Sequence, residues 1–514
     1  MSDSRPNVLY LMTDQQRFDT IAALNNPRIH TPNLDRLVRR GLSFTRAYSS
    51  CPVCMPARYN IRTGCEPPTI GVFNNGRKNL VAGQPAEMED RCGPFLARRM
   101  GQLGYRTFGI GKFHAFHEDL GYEVYKQSRE LYGNMDVAES DAYYSFIQRE
   151  YPEFAHVEQL QGERTEMYYM PQTRVFPPEA GQEGWAARET IKQLAAEDDR
   201  PFFGFCSFIA PHPPFSPPVP FNRLYDPDEM PEPILGNLET DHADERIPSM
   251  NRTIWADDIG PMQARALKAR YYGEVTYVDW CVGQILDALE ARGDADNTLI
   301  AFFADHGDHL GDHHAWQKES YFEASCHVPL LVSWPARLPA DVRREELVSL
   351  TDLFALATGA AGQCEPREGI DLLALAEGTA QRRDYCVGYY EVPGSVRFKV
   401  MVRDDRWKYI FCANGGRELL FDLDNDPDEL DNRIGAEPAA AETLRDRAVR
   451  ACMGINADRA LEGGRLRSFA YQGIEKGRIN QMAGHLGVTD FSRDPAATLE
   501  AYFRDRPKLG EVGR

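Results

Sequence analysis

Four places in the 514-residue chain set charged or metal-binding side chains just behind an apolar run: Asp14 with Gln15, Lys112 with His114, His212, and Asp305 with His306. One Asp or His in such a loop is ordinarily solvated. Four on the same edge of one sheet would be gathered from distant parts of the chain into a single crevice. Asp14 and Asp305 offer hard carboxylate oxygens and Gln15 a carbonyl, donors that suit Ca2+, Mg2+ or Mn2+, and His306 tilts the choice slightly toward Mn2+ or another transition metal. Lys112, Arg58 and Lys318 are cations that, beside such a metal, could hold a tetrahedral oxyanion and neutralise charge developing on it. The competing reading of ADHGDHLGDHH (304–314) is a His-rich loop with incidental metal affinity, and of each cation a surface side chain.

CPVCMPARYNIRTG (51–64) places Cys51 and Cys54 in C-x-x-C spacing. A redox pair needs a low-pKa thiol at a helix N-terminus with its partner after it, and a zinc site needs two further Cys or His ligands at short spacing. No second C-x-x-C follows, and Cys65 lies beyond Arg58 and the Thr63-Gly64 turn. A non-catalytic metal or redox protein built on this pair stays as the reading of another class. The other way to read the stretch is outward from Cys54 alone, through Pro56 and Arg58, with Cys51 a small buried thiol.

The elements that must position these groups alternate. NVLYLMTD is an apolar run with a polar end, a buried strand that delivers Asp14 to a carboxyl edge. TPNLDRLVRRG predicts a helix with Thr31 as N-cap, Pro32 at its first position and Gly41 as terminator. GPFLARRMGQLGY (93–105) predicts a helix leading into the strand RTFGIG, FFGFCSFIAP (202–211) a strand ending at His212, and VDWCVGQILDALEARG (278–293) a helix feeding TLIAFFADHGD (298–308). APHPPFSPPVP (210–220) reads as a rigid loop at a strand end. The fold class expected is α/β, a large mostly parallel sheet covered by helices on both faces. Around residue 375 the texture changes to β-rich runs about Asp404-Asp405, a small antiparallel sheet followed by a helix over 437–452. The expected organisation is a catalytic domain over 1–375, a small-sheet subdomain over 376–462, and a tail over 463–514 that packs on its own chain or reaches a neighbour in a homodimer or homotetramer.

The formal charge of −19 disfavours nucleic acid and anionic membranes as partners, so a site for an anion must be locally positive. Eleven scattered cysteines do not form a disulfide scaffold and are expected mostly as buried thiols. The apolar run Val8–Met12 is too short for a signal core and no run approaches a membrane span, giving a cytoplasmic expectation.

Read from Cys54, the stretch resembles the sulfatase signature C-x-P-S-R-x-x-x-L-T-G, with Ala57 in place of serine and Arg62 in place of leucine. HTPNLDRLVRRGLSFTRAYSS, GKFH, APHPPF, TLIAFFADHGDHLGDHHAWQK and ELLFDLDNDPDELDN resemble further motifs of that formylglycine-dependent family of the alkaline phosphatase superfamily, over about residues 6–435. The resemblance implies that a formylglycine-generating enzyme oxidises Cys54 to formylglycine, whose hydrate is the nucleophile. One hydroxyl attacks sulfur and the other later expels sulfate, a second step an ordinary cysteine could not complete. It implies a divalent ion, Ca2+ or Mn2+, on Asp14, Asp305, His306 and the modified Cys54, with Gln15 beside them. Arg58 would steady the formylglycine, Lys112, Lys318 and Asn75 would bind the substrate anion, His114 would act as base on the second hydroxyl, and His212 would assist the leaving group.

The implied activity is hydrolysis of a small anionic sulfate ester. Asp14-Gln15 and Asp305-His306 resemble the branch that includes arylsulfatases, choline sulfatases and phosphonate monoester hydrolases. Lys112 and His114 fit the sulfatase motif, whereas neutral ligands replacing carboxylates make the metal site more positive and favour phosphorus esters. Promiscuity between the two is the expectation. Specificity is expected in 115–190 and 221–262, which match the family least.

Overall fold

The structure, a computed structural model, describes residues 5–76, 85–116, 119–129, 141–154, 169–454 and 456–473. Its centre is an eight-stranded sheet in the order β10-β2-β9-β7-β1-β6-β4-β5. These strands are β1 (Asn7–Thr13), β2 (Leu42–Phe44), β4 (Arg106–Gly111), β5 (Val124–Gln127), β6 (Phe202–Ser207), β7 (Thr298–Ala304), β9 (Leu330–Ser333) and β10 (Val342–Arg344). All neighbours run parallel except β9, which is antiparallel to both β2 and β7. The mostly parallel α/β class read from the alternation is therefore what forms.

Alternation along β1 explains the two cores. Val8, Tyr10 and Met12 face one side with Phe203, Phe205 and Phe303, under the helices Cys54–Thr63, Leu96–Gln102 and Asp352–Ala360. Leu9 and Leu11 face the other side with Phe202, Ile300 and Phe302, under Pro32–Arg39, Gln182–Leu194 and Pro261–Arg292. A strand covered on both faces has no polar side to show, which is why these runs are apolar throughout.

Several boundaries differ from the sequence expectation. The helix read from Val278 begins at Pro261, and the strand expected to run to Pro211 ends at Ser207. The helix expected over 93–105 is confined to Leu96–Gln102. Thr31 sits at the N-cap of Pro32–Arg39 but does not cap it: its hydroxyl accepts from Ala22 N at 2.8 Å. The cap comes instead from Asp279 on the long helix, whose carboxylate accepts from Asn33 N at 3.0 Å and Leu34 N at 2.7 Å.

Two smaller sheets complete the frame. β3 (Ala47–Tyr48), β8 (His327–Val328) and β11 (Val348–Ser349) form one; β12 (Tyr385–Tyr390), β13 (Lys399–Asp404), β14 (Trp407–Cys412) and β15 (Arg417–Asp422) form the antiparallel C-terminal sheet, covered by the helix Pro438–Ala451. The first residues of the tail lie on this sheet, with Phe469 N bonded to Ala413 O at 2.9 Å. Residues 474–514 of the tail, expected to pack on their own chain or reach a neighbour, lie outside the described residues, as do 117–118, 130–140 and 155–168 of the expected specificity region. Among the described residues no helix is long and apolar enough to cross a membrane.

Candidate active site

Strand register assembles the site. Thr13 pairs with Ala304, Met12 with Ser207, and Ser207 with Gly111. Asp305, Asp14, Ser207 and Lys112 thus arrive side by side at the carboxyl edge of four adjacent parallel strands. Gly111, at φ 105°, lets β4 close on β6: a Cβ there would lie 1.9 Å from Ser207 O, where Lys112 N hydrogen-bonds at 2.9 Å. Gly307 does the same beside His306, since its Cβ would meet Ala324 O at 2.1 Å.

The helix Cys54–Thr63 points its N-terminus into this edge. Every one of its ten residues is buried, and Val53 is its N-cap. Cys54 and Arg58, one turn apart, share a face. The Arg58 guanidinium, 1% exposed, donates to Asp14 Oδ2 at 2.7 Å, Asp305 Oδ2 at 2.9 Å, Lys112 O at 2.6 Å and Ser207 Oγ at 3.0 Å. It locks the helix to four strands at once. Asn75, expected against the substrate, accepts from Met55 N at 2.9 Å and so satisfies a first-turn amide of this helix.

Cys54 Sγ lies 3.2 Å from Lys318 Nζ, 3.3 Å from His306 Nε2 and 3.7 Å from Asp14 Oδ1. Burial and Asp14 push its thiol up, but Lys318, Lys112 and His306 together outweigh them and hold it well below the usual thiol range. Asp14 is likewise buried, yet Lys112, at 2.7 Å, with Arg58, His212 and Lys318, holds it well below the usual carboxylate range. Three cations, Arg58, Lys112 and Lys318, thus stand among the carboxylates and the thiol at this edge. Cys51 takes no part: it is buried, donates to Phe73 O at 3.5 Å, and burial pushes its thiol up.

Asp14, Cys54, Asp305 and His306 each present a ligand atom within 4.8 Å of the others. His306 Nδ1 is within 3.0 Å of Gly307 O, the backbone contact that sets Nε2 toward the carboxylates. Two carboxylates, one imidazole and residue 54 fit a divalent ion with mixed oxygen and nitrogen preference. Gln15 lies beside this set with its amide engaged: Oε1 accepts from Lys318 Nζ at 2.7 Å and Nε2 donates to Asp308.

Asp308, Tyr169 and Gln317 were not singled out from sequence. Asp308 accepts from Gln15, from Tyr169 OH and from Leu310 N, fixing the Gln15 side chain. No local pattern marks Tyr169 or Gln317; Asp308 stands within the His-rich stretch. Gln15, His114, Gln317 and Glu319 are all in the left-handed region, with φ of 68°, 43°, 72° and 75°. Such clustering around Lys318 and the carboxylates is the backbone strain that functional loops hold. Glu319 anchors it: its N–H donates to Pro52 O at 3.1 Å, and its carboxylate accepts from Tyr390 OH on β12 at 2.7 Å and from Arg246. His212 follows β6 and its Nδ1 is 2.8 Å from Pro213 O; His114 is half-buried, and its Nδ1 has no hydrogen-bond partner among the described residues.

The sulfatase family model matches residues 6–363, and a second, for the C-terminal region of N-sulphoglucosamine sulphohydrolase, matches 311–449. An arylsulfatase of Clostridium perfringens is 28% identical over 454 residues, 84% of this chain and 91% of that one. A choline-sulfatase of Rhizobium meliloti is 28% identical over 455 residues, 84% of this chain and 83% of that one. Among solved structures, the phosphonate monoester hydrolase of Agrobacterium radiobacter superposes with a TM-score of 0.73 at 26% identity, covering 88% of this chain and 96% of its own. The match over 6–363 takes in every strand of the large sheet and each residue that meets at its edge, and the chain belongs to the sulfatase family.

Proposed function

We propose that the chain hydrolyses organic sulfate monoesters with a nucleophile made from Cys54. The observation that carries this reading is the position of Cys54: first residue of a buried helix, with two carboxylates, an imidazole and a lysine amine around its sulfur. A formylglycine at position 54 would supply, as its hydrate, one hydroxyl to attack sulfur and a second whose loss of a proton releases sulfate. Asp14, Asp305, His306 and residue 54 would hold a divalent ion, Ca2+ or Mn2+, which when bound polarises a substrate oxygen as a Lewis acid. The chain's own groups do the rest. Lys318 and Lys112 bind the sulfate oxygens, Arg58 fixes residue 54 through its helix, His114 takes the proton of the second hydroxyl, and His212 gives a proton to the departing alkoxide. Peptide mass spectrometry supports the reading if position 54 carries formylglycine in active protein; an unmodified thiol in fully active protein sinks it.

A second reading is favoured by Asp14-Gln15 and Asp305-His306 and by the likeness to the phosphonate monoester hydrolase: the same site acting on phosphonate monoesters or phosphodiesters. Comparing kcat/KM for an aryl sulfate and an aryl phosphonate ester separates the two. A phosphonate preference of several orders of magnitude reverses their order.

A further inference from the structure

The nucleophile helix Cys54–Thr63 holds the segment from Lys112 to Phe116 group by group. Arg58 donates to Lys112 O at 2.6 Å, Arg62 donates to Phe113 O, and the Tyr59 hydroxyl accepts from Phe116 N at 3.1 Å. Arg62 stands where the sulfatase signature has leucine, and it is 5% exposed. Among the described residues it has no carboxylate partner, and its Nη1 has no hydrogen-bond partner. A buried cation with no carboxylate beside it is costly to keep. Arg62 meets Phe113 twice instead, at the carbonyl and at the ring, whose centre lies 5.8 Å from the guanidinium carbon, with the Tyr59 ring at 5.4 Å.

Phe113 is itself anchored. Its ring packs 4.9 Å from that of Tyr125 and 5.4 Å from that of Tyr122, over Gly109, where a Cβ would meet it at 2.7 Å. His114 follows in the left-handed region, at φ 43°, a conformation that a residue with a side chain holds only where its surroundings impose it. The carbonyl that Arg62 grips belongs to the peptide unit leading into that turn. We propose that Arg62 is a positioning residue for the second half of the reaction: by holding Phe113 O from the nucleophile helix, it sets His114 where it can take the proton of the second hydroxyl on residue 54. This rests on the ester hydrolysis proposed above. The neighbouring grip of Arg58 on Lys112 O serves the sulfate-binding lysine, so the two arginines, one helical turn apart, divide the segment between binding and proton transfer.

Arg62→Met keeps an apolar stem against Tyr59 and Phe113 and removes the donors, whereas Arg62→Lys keeps the charge and a donor. Both are assayed as full-length protein supplied with Mn2+ or Ca2+, on nitrophenyl sulfate, whose good leaving group makes the first half fast. Nitrophenol leaves in the first half and sulfate in the second, so slowing only the second lowers kcat and KM together and leaves kcat/KM within about twofold. Arg62→Met is expected to lose about tenfold to a hundredfold in kcat, with a burst of nitrophenol matching the active sites, and Arg62→Lys to regain most of it. Amide hydrogen exchange over 113–116, read by mass spectrometry without substrate, is expected to quicken about tenfold in Arg62→Met and to slow again in Arg62→Lys. The proposal is overturned if kcat of Arg62→Met stays within about twofold of wild type, if kcat/KM falls as far as kcat, the mark of a merely structural loss, or if exchange is unchanged. Arg62→Leu, the residue of the signature, replaces Arg62→Met if that variant does not fold. Failure of the ester hydrolysis itself shows in wild type, as no turnover of nitrophenyl sulfate, and takes the role of His114 down with it.

Discussion

Replacing Arg58 should unbalance the site in a way whose size follows from its partners. Arg58→Met removes four hydrogen bonds, two of them to carboxylates that are fully buried. The two carboxylates do not suffer equally. Asp14 keeps Lys112 Nζ at 2.7 Å, whereas Asp305 Oδ2 loses its guanidinium and Oδ1 keeps only Gln15 N and His306 N, each at 3.0 Å, with His306 Nε2 at 3.5 Å. One buried charge is therefore stripped of its main partner, a loss worth about 3–5 kcal/mol against a typical total near 5–15 kcal/mol. Arg58→Lys retains the charge but cannot fork to both carboxylates, so it should lose one charge-assisted bond, about 1.5–3 kcal/mol. Urea unfolding of metal-depleted protein, followed by tryptophan fluorescence, reads both values. Added Mn2+ should narrow the gap, because a bound cation takes over part of the compensation of Asp305. An Arg58→Met protein within about 1 kcal/mol of wild type would refute the reasoning.

Asp279, which caps Pro32–Arg39, is pushed up to about 6 by burial, against the opposing Leu34 and Asn33 hydrogen bonds. An unfolded Asp titrates near ~3.9, so the folded chain holds the extra proton in between, and this stability is full below about 4 and lost as pH rises through about 6. Asp279→Asn lacks that loss: relative to wild type it should gain up to roughly 3 kcal/mol between pH 4 and 7, and parallel pH profiles would contradict this. Removing divalent ions with a chelator should abolish ester hydrolysis and lower the melting temperature, both restored by Mn2+ or Ca2+. At a hundredfold excess over Kd the ion contributes about 2.7 kcal/mol, and an unchanged melt would argue against binding at Asp14, Asp305 and His306.

What was legible in the sequence was the set of strand ends. Strands buried on both faces must be apolar to their last residue, so Asp14, Lys112 and Asp305 stand out as abrupt changes of polarity, and parallel register then brings them together. The first half of Pro261–Arg292 was not legible because Leu267–Ala269 and Tyr271–Tyr277 are buried, around most of the helix circumference, leaving no apolar stripe to count. Thr31 has the right residue type for a cap, yet its hydroxyl is drawn to Ala22, and a carboxylate far along the chain replaces it. The Gln15, Tyr169, Asp308 and Gln317 contacts span 139 to 302 residues of chain, beyond any local pattern. Strand β12 was overlooked for a different reason: YCVGYY has a glycine at its centre, where a Cβ on Gly388 would meet the Tyr321 ring at 2.4 Å.

The long helix Pro261–Arg292 serves as a ruler for the catalytic pocket. Tyr271 OH donates to Gln15 O at 2.7 Å, Glu274 accepts from Ser216 N in the proline-rich loop at 2.9 Å, and Asp279 holds the helix Pro32–Arg39. Eight residues separate the first mark from the last, about 12 Å along one rigid rod. One inserted residue between Tyr271 and Asp279 would turn the later marks by about 100° and advance them by about 1.5 Å. The spacing of these walls is thus written into a helical phase. A change that left the rod intact could alter the pocket only through the loops hung from it.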